Sequence, residues 1–380
     1  MSKKGRFFHY LKKTLSYILV AALASACTWF LADRIPNSKL EQLADVIDHR
    51  YIGEVDQTAI EDAAAAAMVS ALPDRWSYYI SAKDYAAHLN RQNNEYVGIG
   101  VTVQQRQDGK GYDIVSVEEN GPAAEAGVQA GDIITHADAT PLGELTVTEM
   151  QGLIMGEKNT QVVLTLLRGD KTLDVTVTRG VIHSRIAQGQ MLDDVIGLVS
   201  INNFYSGAGQ ETIGEIEKLV EQGAQMLIFD VRNNPGGYVH EMVELLDYLL
   251  PEGPLFRSVS YSGKETVEQS DADCLELPMA VLINGNTYSA AEFFAAALSE
   301  YDWAVTVGEQ TCGKGYYQTT IPLEDGSAVA LSTGKYSTPN GVNLAEVGGL
   351  TPDIPAAPAE AAADAETDPQ ILAAMQALTE

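Results

Sequence analysis

Three short apolar runs, each followed by a helical stretch or a sharp turn into one, constrain this 380-residue chain more than any other feature. "VIGLVSIN" (195–202), "MLIFDVR" (226–232) and "PMAVLIN" (278–284) are continuously apolar and rich in branched residues, so they read as strands buried on both faces. Between the second and third lies "YVHEMVELLDYLL" (238–250), whose apolar residues recur at helical spacing, and after the third comes "AAEFFAAAL" (290–298). Strands alternating with helices imply an α/β core, here over 183–355.

The preceding segment, 94–182, has a different texture. "GIGVTVQQ" is followed by "GYDIVSV", then "GPAAEAG", a short helix closed by a glycine, then "GDIIT". "VVLTLL" and "LDVTVTR" alternate as half-buried strands do. These elements, in this order, resemble a PDZ domain. Residues 37–93 read as helical, with an uninterrupted Ala-rich stretch from Thr58 to Leu72, and suggest a packing or dimerisation layer compatible with a homo-oligomer. The last segment, 356–380, begins as a low-complexity solvated linker and ends in a short amphipathic helix, Gln370–Leu378.

The amino terminus adds a topological constraint. The first thirteen residues carry five basic side chains and no acid, and Thr14–Ala32 then runs for nineteen residues without a charge. About 20 apolar residues cross a bilayer core, and the basic flank predicts a cytoplasmic start with everything after residue 36 outside. The expectation is a single-pass anchor in the cell membrane. Cleavage after Ala24-Ser25-Ala26 and lipidation at Cys27 are the alternatives. The formal net charge is −28, and no basic stripe interleaved with aromatics occurs, which argues against nucleic acid. Cys274 and Cys312 are too few for a disulfide framework, and no CxxC spacing points to zinc; no metal or cofactor is expected.

Chemistry is suggested first by Ser289, in "INGNTYSAAEFF", where a turn becomes a helix. It is either an ordinary N-cap or a nucleophile, and a nucleophile needs a base. Of six histidines only His240 falls well inside the α/β region, with no local carboxylate partner of nucleophile-elbow type and no G-x-S-x-G at the serine. Lys314, in "CGKGYYQ", is the other candidate base. Strand alternation would put Lys314, Tyr316 and Gln318 on one face, with Gln318 holding the amine toward the serine. Such a lysine must fall from a pKa of about 10.4 to near neutrality, a cost of about 4 kcal/mol, which burial can impose. Taken alone it reads as a surface lysine in a glycine turn, where most lysines sit. "DVRNNPGGYV" ends a buried strand in a turn whose glycines could present N–H groups to an oxyanion, or could be structural only.

Together, "DVRNNPGG", "NGNTYSAAE", "GEQTCGKGYYQ" and "YSTPNGVNL" resemble the tail-specific, or C-terminal processing, protease family, over about 37–355. The resemblance implies an α/β and α+β multidomain chain. Its parts are a cytoplasmic start and anchor (1–36), a helical region (37–93), a PDZ domain (94–182), a crotonase-like protease core (183–355) and the tail (356–380). It implies a serine endopeptidase with Ser289 as nucleophile, Lys314 as general base and Gln318 orienting the lysine. The oxyanion hole would be the N–H groups of Ala290 and Gly236. Peptide or protein substrates with free C-termini would be held at Gly98, Ile99, Gly100 and Val101. Two departures touch the pocket wall: Cys312 stands where an aromatic is common, and Tyr316-Tyr317 replace smaller residues. A PDZ adaptor with an inactive core, and a crotonase-type acyl transferase, are the competing readings.

Overall fold

The structure, a computed structural model, describes residues 38–358 and 365–380 together with isolated positions between 14 and 22. The expected anchor, Thr14–Ala32, lies outside the described residues apart from those positions. Among the described residues no helix is long and apolar enough to cross a membrane. The chain divides into two compact units, Met1–Ala65 and Ala66–Glu380. In the first, helix α1 (Lys39–Arg50) opens with a reciprocal cap in which Ser38 Oγ accepts from Glu41 N–H and Glu41 returns the bond to Ser38 N–H. Helix α2 (Gln57–Ser70) is the Ala-rich stretch.

Residues 71–93 are not the continuous helical layer that composition suggests. "SYYI" contributes a strand, β1 (Tyr78–Ile80), before helix α3 (Ala82–Gln92). The tyrosines and isoleucine suit a pleated surface better than a helix, and β1 pairs with a distant strand of the core.

The β-rich segment folds as an antiparallel sheet of β3 (Val101–Gln105), β4 (Tyr112–Val117), β5 (Ile133–Ala137), β7 (Gln161–Arg168) and β8 (Lys171–Thr178), in that order, with β6 (Thr140–Pro141) beside β5. Helices α4 (Pro122–Glu125) and α5 (Val147–Ile154) accompany it, and Tyr112, Ile134, Leu142, Met150, Leu164 and Leu166 fill its core. A two-stranded ribbon of β2 (Glu95–Gly98) and β9 (Gly180–His183) closes the domain's two ends together.

The core is a six-stranded sheet. β10 (Ala187–Met191) is antiparallel to β11 (Ile196–Ile201), and β11, β12 (Met226–Asp230), β15 (Met279–Ile283), β16 (Ala304–Gly308) and β19 (Ile354–Pro355) are parallel in spatial order. Alternation assigns the faces. Leu227, Phe229, Val281 and Ile283 face helices α6 (Ala208–Glu221), α7 (Val239–Leu249) and α8 (Ala290–Glu300). Ile228, Ala280, Leu282 and Val307 face the other way, against Ile371 and Ala374 of the terminal helix α10 (Pro369–Thr379). The tail helix therefore belongs to the core, although the segment before it reads as linker. A second sheet of β1, β18 (Ala328–Ser337), β13 (Gly253–Ser260) and β14 (Glu265–Ser270), with β17 (Tyr316–Pro322) also on β18, completes the domain beside short helix α9 (Leu344–Val347).

Candidate active site

The parallel strands β12 and β15 end side by side, and the loops leaving their carboxyl ends form the floor of the site. Asparagines lace the two loops together. Asn233 N–H donates to Asn284 Oδ1 at 3.0 Å, while Asn284 and Asn286 amides both donate to Asn233 Oδ1 at 3.1 Å. Thr287, fully buried, donates to Val231 O at 2.8 Å. From the far side of the sheet, Arg232 is gripped by Asp230, Asp368 and Gln370, so the tail helix anchors the same turn.

Ser289 follows as the residue before α8, with φ 61° and ψ −132°. A non-glycine residue at positive φ costs on the order of 1–3 kcal/mol and persists only where its surroundings enforce it. Here Glu292 Oε2 accepts from Ser289 N–H at 3.0 Å, and Ser289 O accepts from Glu292 N–H at 2.9 Å. Gly236 presses from the other side: a Cβ there would lie 2.8 Å from both Ser289 Cβ and Ala290 N. The result is a strained strand-to-helix elbow built without a G-x-S-x-G motif. Its side chain faces a cavity of about 760 Å³ lined by Trp76, Tyr205, Gly237, Tyr288, Lys314 and Gln318, among others. Ser289 Oγ lies 3.0 Å from Tyr336 Oη.

Lys314 is 9% exposed and shares that cavity. Burial drives its pKa down to about 8, against the opposing pull of Glu292, Asp74 and Cys312. Its Nζ sits 4.8 Å from the centre of the Trp76 ring and 5.9 Å from that of Tyr288. Among the described residues no hydrogen bond joins Lys314 Nζ to Ser289 Oγ. The flanking glycines have separate reasons: Gly313 adopts φ 77°, and a Cβ on Gly315 would meet Asn343 Oδ1 at 2.1 Å. That closeness lets Asn343 Nδ2 donate to both Gly315 O and Tyr336 O.

One carboxylate joins the two candidate groups. Glu292, fully buried in the first turn of α8, accepts from Ser289 N–H and Lys314 N–H through Oε2, and from Gly313 N–H and Thr311 Oγ1–H through Oε1, all within 3.0 Å. Burial raises its pKa, and the four donors oppose that rise. A proton on either oxygen would face a donor, so the anion is the form that fits. Sequence reasoning passed over Glu292; its signal was the Ser-x-x-Glu spacing of a capping box at 289–292. Trp76 and Tyr336 were passed over as well, the first in a segment read as helical layer.

Three expected details differ. A register shift between Tyr317 and Gln318 breaks strand alternation, so Tyr317 rather than Tyr316 lines the cavity with Lys314 and Gln318. Gln318 Nε2 donates to Ser332 Oγ at 2.9 Å and to Tyr316 O at 3.2 Å, not to the lysine. Gly236 N–H, expected to face an oxyanion, donates to Asn234 Oδ1 at 2.8 Å, because the buried Asn234 side chain folds back onto its own turn. Gly237 lines the cavity instead, and neither its N–H nor that of Ala290 has an acceptor among the described residues. His240 is exposed, stacks on Tyr238 at 5.2 Å and does not line the Ser289 cavity. Cys274 and Cys312 are free thiols, and Arg75 Nη2 donates to Cys312 Sγ at 3.3 Å.

The β-rich domain holds a second cavity, of about 360 Å³, between β3 and α5. Gly98, Ile99, Gly100 and Val101 line one end, with Val103, Met150 and Ile154 along its wall. Strand β3 pairs only with β4, so its outer edge is open. The N–H groups of Ile99 and Gly100 have no acceptor among the described residues.

Comparison with known proteins divides the chain in the same way. Residues 195–356 match peptidase family S41, and residues 97–178 match the PDZ domain. A CtpA-like serine protease of Staphylococcus saprophyticus is 29% identical over 319 residues, 83% of this chain; this chain spans 64% of that relative's length. A protein of the same name from Staphylococcus epidermidis is 26% identical over 365 residues, 92% of this chain and 74% of its own. Among solved structures, a photosystem II D1 C-terminal processing protease aligns with a TM-score of 0.49 and 25% identity, covering 84% of this chain and 86% of the other. The chain is thus similar to CtpA-like serine proteases, with a segment that matches peptidase family S41 following one that matches the PDZ domain.

Proposed function

We propose that this chain is a serine endopeptidase in which Ser289 is the nucleophile and Lys314 the general base. The observation that carries the reading is the Glu292 carboxylate, which ties the backbones of a strained serine and a buried lysine together at one cavity. A lysine with a pKa of about 8 holds a useful neutral fraction near neutral pH. Neutral Lys314 Nζ takes the proton from Ser289 Oγ as Oγ attacks the scissile carbonyl. The negative charge moves to the carbonyl oxygen, at the N-terminus of α8, where Ala290 N–H and the helix dipole favour it. Gly237 offers a second N–H. The lysine ammonium then protonates the departing amine, leaving an acyl-enzyme, and the same amine activates water to release it. Gln318, through Ser332, supports the cavity wall on the lysine side.

Substrate selection is assigned to the second cavity. An extended peptide would add to the open edge of β3, its terminal carboxylate received by the Ile99 and Gly100 N–H groups and its last, apolar side chain set among Met150 and Ile154. The uncharged run 14–32 behind a basic start supports a membrane-anchored enzyme working outside the cytoplasm. The test is cleavage of an internally quenched peptide with a free apolar C-terminus by purified protein and by Ser289→Ala. Cleavage lost in the variant supports the reading; equal cleavage by both refutes it, and no cleavage by either favours the adaptor.

A further inference from the structure

Tyr336 is buried to 3% exposure on β18, its ring packed against Phe293 at 4.4 Å, Phe256 at 5.4 Å and Tyr317 at 6.1 Å between centres. Its Oη has one hydrogen-bond partner among the described residues, Ser289 Oγ at 3.0 Å. Either hydroxyl can donate in the resting pair, but once Oγ gives up its proton only the phenol can donate and the serine oxygen accepts. Burial keeps the phenol protonated by pushing its pKa up.

We propose that Tyr336 is a third catalytic residue, whose O–H donates to Ser289 Oγ and stabilises the charge that grows there as the proton leaves. The proposal rests on the Ser289–Lys314 reading. In the attacking step the Oγ–H bond breaks, the proton goes to Lys314 Nζ, and an Oγ lone pair forms the bond to the carbonyl carbon, whose π electrons pass to its oxygen. Tyr336 keeps its proton throughout. Its hydrogen bond strengthens as Oγ gains charge, which is the differential binding that lowers a barrier. Ester formation then weakens Oγ as an acceptor. Placement is enforced from the base side: Tyr336 N–H donates to Gly315 O at 3.2 Å, and Asn343 Nδ2 bridges Gly315 O and Tyr336 O. The phenol and the lysine loop thus share a frame.

The experiment compares Tyr336→Phe, Ser289→Ala and Lys314→Ala in the full chain, using the quenched peptide and the rate of labelling by an alkyl fluorophosphonate. Tyr336→Phe keeps the ring, so KM and the melting temperature should hold. Both kcat and the labelling rate should fall about 10- to 100-fold, the worth of one hydrogen bond to a charged oxygen. Wild-type or faster rates in Tyr336→Phe, with the other two variants inactive, would overturn the role of Tyr336 and leave the dyad standing. An active Ser289→Ala would overturn the dyad itself. Should Tyr336→Phe fail to fold, 3-fluorotyrosine at 336 retains the hydroxyl with a more acidic proton. It should then match or exceed the wild-type labelling rate, and a slower rate would overturn the proposal.

Discussion

The α/β core and the PDZ domain put the same backbone groups to opposite uses. In the core, the donors that frame the site are already used, four of them on one carboxylate and others exchanged between the asparagines of two loops. The Gly237 and Ala290 N–H groups stay open, with no acceptor among the described residues. In the PDZ domain the outer edge of β3 and the N–H groups of Ile99 and Gly100 are left unpaired among the described residues, beside an apolar groove. A reacting centre must be rigid before substrate arrives, because reorganisation at the moment of reaction raises the barrier. A tail-binding groove must leave hydrogen bonds unmade so that the peptide can make them. Damage to the first should therefore remove catalysis, and damage to the second should remove only preference.

The largest effect is expected at the dyad. Ser289→Ala and Lys314→Ala should each lower kcat by about a thousandfold or more, with the fold retained by circular dichroism. His240→Ala should leave the rate unchanged. A dead His240 variant beside an active Lys314 variant would reverse the assignment.

Glu292→Gln should come next. The amide NH2 would face two of the four donors, so stability should drop by about 2–3 kcal/mol and kcat by about a hundredfold. Removing the negative charge also removes a force that raises the Lys314 pKa. Lysine acts as the neutral amine, so the acid limb of kcat/KM should move to lower pH. A limb that stays in place would make Glu292 a purely structural brace.

The PDZ groove predicts a smaller and selective change. Gly100 has φ 76°, and a Cβ there would lie 3.1 Å from Glu118 Cβ and Ile182 Cδ1, so Gly100→Trp distorts the Ile99–Gly100 turn. KM for a free-tailed peptide should rise about tenfold, with kcat held. Amidation of the peptide should produce the same change in wild type, and none further in the variant. Smallest of all, Gln318→Ala should slow cleavage by less than about tenfold, because its amide reaches Ser332 rather than the lysine.

Much of this contrast is legible in the sequence, for physical reasons. Continuous apolar runs announce strands buried on both faces, and Phe229, Val281 and Leu282 are fully buried. Alternation in 161–178 announces the hairpin that forms the far side of the PDZ sheet. Ser289 and Lys314 stand out because local chemistry, a turn into a helix and a lysine between glycines, marks them. What escapes is whatever depends on distant pairing. Trp76 reaches the lysine only because β1 joins β18, some 250 residues away along the chain. Tyr336 meets Ser289 across two sheets, and the terminal helix packs on the core through Ile371 and Ala374 while Asp368 pairs with the distant Arg232. At Gly236 the sequence shows that a glycine can present its N–H, not that the Asn234 side chain accepts from it.

The central claim is that Lys314 is neutral often enough to serve as the base. The direct measurement is an NMR titration of its side-chain Cε in the Ser289→Ala protein carrying 13C-labelled lysine, assigned by comparison with Lys314→Ala. The account predicts a midpoint near 8, coinciding with the acid limb of kcat/KM in the wild-type enzyme. A midpoint near about 10.4, the value of a lysine in water, would contradict it.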